Sequence, residues 1–357
     1  MSYFHIDGRP IGPGQPTFVI AELGVNHDGS ANKAIELVKI AANCGASAVK
    51  LQIFRAAALL HASAPLAEYQ KSQVAGDSAT DMLRKYELST DDLRRIVKTI
   101  RDLKMVPLAT PFSPQDVETC EMLRLPAIKI ASPDVVNYLL LQRAAQTGKP
   151  LLLSTGAADL DEVDATVRWM EEWNTSFALL HCISSYPTPA AQANLCWISE
   201  LAQRYRAPIG FSDHTTETFA GAMAACAGAD IIERHLTYDR SARGPDHAAS
   251  SDPTQFERYV KMIREADNLR GSPGKRVLEI EQDVRNLSRQ SLVVRRTIKR
   301  GQTVAVDDLT TQRPGSGIPP ARLQEVVGRP AIQLIPAGAM LDWNMIDQAG
   351  GQLSEVA

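Results

Sequence analysis

The chain has 357 residues, of which 44% are hydrophobic and 22% charged, and its formal net charge at pH 7 is −3. This charge argues against nucleic acid or an anionic membrane surface as the main partner, and no apolar run reaches the ~18 residues that a membrane helix needs. The first residues lack the pattern of a signal peptide and the five cysteines are never spaced as CxxC, so we expect a cytoplasmic protein without a disulfide framework or a zinc–thiolate site.

Eight strand-like apolar runs alternate with helical stretches in the first part of the chain. Most runs are almost continuously apolar, which is typical of parallel strands buried on both faces. The predicted strands are 18–22, 48–52, 106–110, 127–131, 150–154, 177–182, 208–211 and 230–233. The predicted helices are 31–44, 90–104, 114–123, 138–148, 160–173, 195–205, 218–227 and 254–269. This alternation predicts a (β/α)8 TIM barrel. A doubly wound open sheet is the alternative, disfavoured because no GxGxxG follows the first strand.

The chain is longer than one compact core usually serves, so we expect a second, smaller domain. A Gly/Pro stretch at 271–274 predicts the end of the barrel. The predicted organisation is a barrel domain, a charged linker arm and a small β-rich domain, covering residues 1–275, 276–288 and 289–357. The short strands predicted in the last of these are 291–295, 298–303, 326–328, 331–332 and 335–338.

One connection, residues 53–89, is out of proportion to the others. Loops of this length in compact domains are usually either disordered or functional. On the catalytic face of a barrel, we predict that it forms a lid.

Two histidines follow the last two predicted strands of the barrel. A lone histidine at a strand end is more often a packed residue, but His214 and His235 end successive strands, with Asp213 and Glu233 beside them. Parallel neighbours lie ~4.8 Å apart, so we expect the two histidines to share one metal ion. Two nitrogen ligands with positions left for water and substrate favour Mn²⁺ or Mg²⁺ over structural zinc, acting as a Lewis acid on a carbonyl.

Two lysines, Lys50 and Lys129, interrupt apolar strands, where a charge is costly unless it is paired. A structural pair with Glu22 or Glu233 is one explanation. An anion site is the other, because hydroxyl groups end the neighbouring strands at Thr110, Ser132, Ser154 and Ser212. Lysines and hydroxyls together suit a small molecule that carries phosphate and carboxylate. Together with a metal, the site predicts carbon–carbon bond formation between a phosphorylated acid and an aldehyde.

Nine motifs in order make the chain resemble the bacterial sialic acid synthase family, which comprises N-acetylneuraminate synthase and its legionaminate and pseudaminate relatives. They are AELGVNHDGS, VKLQ, ATPFS, IKIAS, LSTG, LHCISSYPTP, GFSDHT, IERHLT and GPDH. The segment that begins at Arg313, RPGSGI, is similar to one in the family's C-terminal antifreeze-like (SAF) domain. The resemblance covers almost the whole chain and implies a TIM barrel followed by an SAF domain.

The resemblance implies that phosphoenolpyruvate condenses with an N-acetylated hexosamine, typically N-acetylmannosamine, with water addition and release of phosphate by C–O cleavage. It implies a divalent metal on His214 and His235, usually Mn²⁺, with Mg²⁺ or Co²⁺ as alternatives. The implied catalytic residues are Glu22, which lies near the incoming water or the sugar, Glu233, which transfers a proton, and Lys129. The implied phosphoenolpyruvate ligands are Lys50, Thr110, Lys129, Ser132, Ser154 and Ser212, and the implied sugar contacts are Gln52, Tyr186 and Asp246. Arg313 would reach into the barrel of a second copy, which implies a domain-swapped homodimer.

The sequence departs from the family pattern at Ser132-Pro133-Asp134, where many relatives have Ser-Gly-Glu, so Asp134 is left without a role. The nearest alternative function is legionaminate or pseudaminate synthesis from a 2,4-diacetamido-6-deoxy hexose. A metal-dependent pyruvate aldolase and a non-catalytic glycan-binding SAF module are further alternatives. The paired histidines and the paired lysines argue against the last of these.

Overall fold

The chain divides into two units, Met1–Ser272 and Pro273–Ala357. The computed structural model describes residues 4–61, 79–272 and 274–348. No helix in these ranges is long and apolar enough to cross a membrane.

The first unit is a closed barrel of eight parallel strands, which confirms the fold predicted from the sequence. A short antiparallel hairpin, β1 (Phe4–Ile6) and β2 (Arg9–Ile11), precedes it. The barrel strands are β3 (Phe18–Glu22), β4 (Ala48–Ile53), β5 (Val106–Pro111), β6 (Ile128–Ile130), β7 (Leu151–Ser154), β8 (Phe177–Cys182), β9 (Ile209–Asp213) and β10 (Ile231–His235). They follow one another around the barrel, and β10 closes it by pairing with β3.

Ten α-helices occur in the described part of this unit: each of the eight predicted helices and two short ones in the connection 53–89. They are α1 (Ala31–Asn43), α2 (Ala56–Leu59), α3 (Ala79–Arg84), α4 (Thr90–Asp102), α5 (Pro114–Met122), α6 (Tyr138–Ala145), α7 (Leu160–Glu172), α8 (Cys196–Arg204), α9 (Ala220–Cys226) and α10 (Pro253–Arg270). Several begin at a side-chain cap; for example, Ser89 accepts a hydrogen bond from the Asp92 N–H, as its position before α4 predicts. Helix α4 buries apolar residues at helical spacing, from Leu93 to Ile100.

The predicted lid, residues 53–89, falls partly outside the described residues, which omit 62–78. Helices α2 and α3 lie on either side of that gap. The two ends of the connection are joined, because the Ala56 N–H donates to Glu87 Oε1 at 2.7 Å. Closure of this segment over the barrel stays a prediction.

An apolar layer fills the amino-terminal half of the barrel interior. It contains Ile20, Ala48, Leu108, Leu152, Leu180 and Ile231, one from each of six strands, all with no exposed area. The β1–β2 hairpin packs against the same cluster through Phe4, Ile6 and Ile11. A second, larger cluster lies between the outward side chains of the strands and the helices. The barrel is therefore sealed at the end where its strands begin, and a polar site can form only at the other end.

The second unit has its own apolar core, which includes Leu292, Val294, Ile298 and Leu341. Its regular elements are α11 (Gln282–Ser288), β11 (Ser291–Val294), β12 (Leu309–Gln312) and α12 (Leu323–Val326), and the two strands pair antiparallel. A small β-rich domain was predicted here, but several of its predicted strands differ. The predicted strand at 326–328 is wrong, because α12 runs into it. The segments predicted as strands at 298–303, 331–332 and 335–338 form isolated bridges instead, such as Ile298 with Ile335 and Ala331 with Ile346. Strand β12 was not predicted, because only its first residue, Leu309, is buried and no apolar run marks it.

Candidate active site

A polar layer lies directly above the apolar layer of the barrel. Side chains alternate along a strand, so the residue two positions after each apolar one points into the same interior. Ile20 is followed by Glu22, Ala48 by Lys50, Leu108 by Thr110, Ala127 by Lys129, Leu152 by Ser154 and Ile231 by Glu233. The sequence thus switches from apolar to polar at one level around the barrel.

Twelve of the fourteen sequence-predicted site residues line one open cleft at this level. These residues are Glu22, Lys50, Gln52, Thr110, Lys129, Ser132, Ser154, Tyr186, Ser212, His214, Glu233 and His235. Phe112, Ala131 and Pro133 complete the lining. The two predicted residues outside this set are Asp246 and Arg313.

Lys50 lies between the two carboxylates of the cleft. Its Nζ is 3.0 Å from Glu22 Oε2 and 3.8 Å from Glu233 Oε1, and it donates to Thr110 Oγ1 at 2.9 Å. Glu22 also accepts from Gln52 Nε2 at 3.0 Å. The structural pairing considered for this lysine is therefore present, and it holds the charged end of Lys50 within the cleft.

Lys129 is held differently. Its Nζ donates to Ser154 Oγ at 2.6 Å and to the Ile130 carbonyl at 2.9 Å, and no carboxylate of the described residues forms an ion pair with it. Burial lowers the pKa of Lys129, since the charged form is costly away from water. A bound anion would offset that cost, so this ammonium is the stronger candidate for an anion ligand.

The two carboxylates differ in their electrostatics. Burial raises the pKa of Glu22, and the charge of Lys50 only partly opposes that effect. Burial also disfavours the ionised form of Glu233, but the charges of Lys129 and Lys50 lower its pKa to about 2. Glu233 Oε1 accepts from Ser212 Oγ at 3.0 Å, whereas its Oε2 is buried without a hydrogen-bond partner. Glu233 is therefore a fixed negative charge, and Glu22 is the group that can gain or lose a proton.

The two histidines meet at the other side of the cleft, with ring centroids 5.7 Å apart. His214 Nδ1 is 2.9 Å from the carbonyl of Ile183, which can only accept, so the neutral ring carries its proton there and leaves Nε2 with a lone pair. His235 Nδ1 is buried without a hydrogen-bond partner. Burial lowers the pKa of His235 to about 4, which keeps this ring neutral at physiological pH. The Tyr186 ring packs on His214 at 4.1 Å between centroids.

These histidines fit a divalent metal ion. His214 has the usual form of a histidine ligand, since one ring nitrogen donates to a carbonyl and the other is left to bind. His235 is neutral and has a buried nitrogen without a hydrogen-bond partner. No cluster of three or more potential ligand side chains occurs among the described residues. The protein would therefore supply two nitrogens, and water or substrate oxygens would complete the coordination, as the sequence analysis expects.

The two remaining predicted residues lie elsewhere. Asp246 Oδ2 is 3.9 Å from His235 Nδ1, beside the cleft. Gly24 makes this approach possible, because a Cβ there would come within 2.5 Å of Asp246 Oδ2. Arg313 belongs to the second unit, where it is exposed just after β12. The unassigned Asp134 accepts from Asn137 Nδ2 at 3.0 Å and does not line the cleft.

Sequence reasoning did not single out Cys182, which adjoins two residues of the cleft. Its Sγ lies 3.4 Å from Ser132 Oγ and 3.7 Å from His214 Nδ1. Ser132 Oγ also accepts from the Gly156 N–H at 3.2 Å. Cys182 ends β8 in the same way that other site residues end their strands, and that position is the signal that could have identified it.

Comparison with known proteins gives concordant results for both units. Residues 37–275 match the NeuB family and residues 289–347 match the SAF domain. The N,N'-diacetyllegionaminic acid synthase of Legionella pneumophila is 36% identical over 346 residues, 95% of this chain and 97% of that protein. Human N-acetylneuraminate-9-phosphate synthase is 28% identical over 348 residues, 97% of each chain. The crystal structure of N-acetylneuraminic acid synthetase from Leptospira borgpetersenii, 29% identical, superposes with a TM-score of 0.73 over 79% of this chain and 95% of that one.

We predict that Glu233→Gln removes an acid-dependent part of the stability. The folded pKa of Glu233 is about 2, below its ordinary value of 4.5, so the stabilisation is present above pH 4.5 and is lost as the pH falls towards the folded pKa. Below pH 4.5 the free energy of unfolding should therefore fall more steeply for the wild type than for the variant, measured by urea denaturation at successive pH values. Parallel curves for the two proteins would contradict an ionised Glu233 between two lysines.

Proposed function

We propose that the chain, which belongs to the NeuB family and is therefore a synthase of the transferase class, condenses phosphoenolpyruvate with an N-acetylated hexosamine. The observation that carries this proposal is the division of one cleft into two halves. Lys50 and Lys129 with their hydroxyl partners form one half, and His214 and His235 form the other. One half suits a phosphorylated acid and the other suits an aldehyde.

The lysine half would hold phosphoenolpyruvate. Lys129 forms no ion pair with a carboxylate of the described residues, and Ser154, Ser132 and Thr110 place hydroxyl groups on the same wall. Charge-assisted hydrogen bonds from ammonium groups to phosphate or carboxylate are about twice as strong as neutral ones.

The histidine half would hold the sugar through a divalent metal. His214 and His235 would be its ligands, and Mn²⁺ is the expected ion, with Mg²⁺ and Co²⁺ as alternatives. Such an ion supplies Lewis acidity towards a carbonyl oxygen. Tyr186, Gln52 and Asp246 adjoin this half of the cleft and would contact the sugar.

The proposed reaction joins C3 of phosphoenolpyruvate to the aldehyde carbon, adds water at C2 and expels phosphate with cleavage of the C–O bond. Positive charge develops at C2 before water adds, and the fixed carboxylate of Glu233 stabilises it electrostatically. Glu22, whose pKa is raised by burial, suits proton transfer to or from the water, with Gln52 orienting its carboxyl group. This division revises the sequence-based expectation, in which Glu233 transfers the proton.

Two sugars are candidates. N-acetylmannosamine, which gives N-acetylneuraminate, is the substrate expected from the sequence. A 2,4-diacetamido-6-deoxy hexose is the second, favoured by the higher identity to the Legionella legionaminic acid synthase, 36%, than to the human N-acetylneuraminate-9-phosphate synthase, 28%. The sequence identities thus favour the diacetamido sugar, and a comparison of kcat/KM for the two sugars will identify the substrate.

We predict that the purified enzyme with Mn²⁺ and phosphoenolpyruvate releases one phosphate for each sugar consumed. The panel contains N-acetylmannosamine, its 6-phosphate and 2,4-diacetamido-6-deoxy hexoses, and the sugar with the highest kcat/KM identifies the substrate. Pyruvate in place of phosphoenolpyruvate is the control and should give no product. Product formation from pyruvate would favour an aldolase instead, and absence of turnover with every N-acetylated hexosamine would contradict the proposal.

We further propose a homodimer in which Arg313 of one copy reaches the histidine half of the cleft in the other copy's barrel. The segment 277–287, which precedes β11, supports this assembly because it exposes five large apolar side chains. These are Val277, Leu278, Ile280, Val284 and Leu287, with exposed fractions between 39% and 86%. A second copy would remove this apolar surface from water.

We predict that His235→Ala, which should be inactive, and Arg313→Ala, which should have a raised KM for the sugar, complement each other in a heterodimer. If Arg313 acts in the partner's barrel, one of the two sites then has both wild-type residues. The heterodimer, purified through two different affinity tags, should recover roughly half the wild-type kcat/KM for the sugar. The two homodimers serve as controls. If Arg313 acts within its own chain, both sites stay defective, and absence of recovery would contradict the swapped arrangement.

A further inference from the structure

A buried ion pair occupies the positions immediately before the two histidines. Strands β9 and β10 pair with Asp213 opposite Arg234. Ser212 and Glu233, one residue earlier, line the cleft, as do His214 and His235, one residue later. Because side chains alternate along a strand, the pair points away from the cleft into the helix layer. Its members are 2% and 4% exposed, and the reaction proposed above makes no use of them.

The pair is held by a fully bonded network. Arg234 Nη1 donates to Asp213 Oδ2 at 2.7 Å, and Tyr259 of α10 donates its hydroxyl to the same oxygen at 2.7 Å. The guanidinium lies over the Tyr259 ring, 4.4 Å from its centroid. Gly221 of α9 permits this packing, because a Cβ there would come within 2.4 Å of the Tyr259 ring. The network therefore ties both strands to the two helices behind them.

Two further contacts connect the network to the backbone of the histidines. Asp213 Oδ1 accepts from the Thr215 N–H at 2.8 Å, a turn that encloses His214. Arg234 Nε donates to Ser251 Oγ at 2.6 Å, and the Ser251 N–H donates to the His235 carbonyl at 2.9 Å. Each histidine therefore follows one member of the pair in sequence. The hydrogen bonds of Asp213 constrain the backbone around His214, and those of Arg234, through Ser251, constrain the backbone of His235.

We propose that the Asp213–Arg234–Tyr259 network positions His214 and His235 relative to each other and so sets the affinity of the cleft for a divalent metal. A buried ion pair is weak evidence for stability, because desolvation offsets much of its attraction. Its specific geometry, by contrast, fixes the register of the two strand ends that carry the ligands. Residues outside the first coordination shell commonly act in this way on metal sites. The proposal rests on the metal assignment of the proposed function.

The chain contains a matched control. Asp164 accepts from Arg204 Nε at 3.0 Å and from the Tyr205 hydroxyl at 2.6 Å, so it also joins an arginine to a tyrosine. That group links α7 to the end of α8 and has no residue in the cleft. The test compares Asp213→Asn with Asp164→Asn, and Tyr259→Phe with Tyr205→Phe. Mn²⁺ affinity of the full-length protein is measured by isothermal titration calorimetry, and thermal unfolding is followed in parallel.

Asp213→Asn should weaken Mn²⁺ binding by about tenfold or more, and Tyr259→Phe, which keeps the ion pair, by about threefold. The control variants should keep their Mn²⁺ affinity within about twofold. Because the Asp164–Arg204 pair is partly exposed, we expect only a small change in their thermal stability. Wild-type affinity in Tyr259→Phe and Asp213→Asn, or equal losses in the controls, would overturn the positioning role alone. If Asp213→Asn does not fold, Tyr259→Phe against Tyr205→Phe decides. A wild-type protein that binds no divalent metal would overturn the metal assignment and the positioning role together.

Discussion

The structure depends on a set of charges buried inside a barrel that is otherwise apolar. Lys50 and Lys129 face Glu22 and Glu233 above a layer of aliphatic side chains, and none of the four is more than 4% exposed. Burial of a charge is tolerable only with partners fixed at short range. Glu22 and Lys50 are direct neighbours across β3 and β4, and Ser212 and Glu233 across β9 and β10. The closed register of the strands therefore keeps these groups together.

The two ends of the barrel have opposite roles. The hairpin and the apolar layer close the end where the strands begin, so water and substrate approach from the other end. There the cleft combines Lys129, which forms no ion pair with a carboxylate of the described residues, with two histidines whose ring centroids lie 5.7 Å apart. Behind the histidines, Asp213 and Arg234 lie in the helix layer. Along β9 and β10, residues that line the cleft therefore alternate with residues that pack against the helices.

Much of the barrel could be predicted from the sequence because buried parallel strands read as continuous apolar runs. Their ends could be assigned too, since Glu22, Lys50, His214 and His235 stand out where such runs stop. A pair between a lysine and Glu22 or Glu233 was one expectation, but the sequence could not show which lysine forms it. Nothing in the sequence shows that Lys50 pairs with both carboxylates while Lys129 bonds to Ser154, because that depends on the curvature of the closed barrel.

Other features were hidden for different physical reasons. The pairing of Asp213 with Arg234 could not be recognised from the sequence, because it depends on the register of β9 and β10. Strand β12 lacks an apolar pattern, since a small two-stranded sheet buries little of each strand. The family could be recognised from its motifs, but the sugar could not, because the choice between similar hexosamines depends on the fit of a few side chains and not on the motifs.

In the proposed function, Lys129, whose ammonium group forms no ion pair with a carboxylate of the described residues, makes the cleft a phosphoenolpyruvate site. The most direct test is isothermal titration of phosphoenolpyruvate into the wild-type protein and into Lys129→Met. Loss of a charge-assisted hydrogen bond predicts binding about 10- to 100-fold weaker in the variant. Equal dissociation constants for the two proteins would contradict the claim.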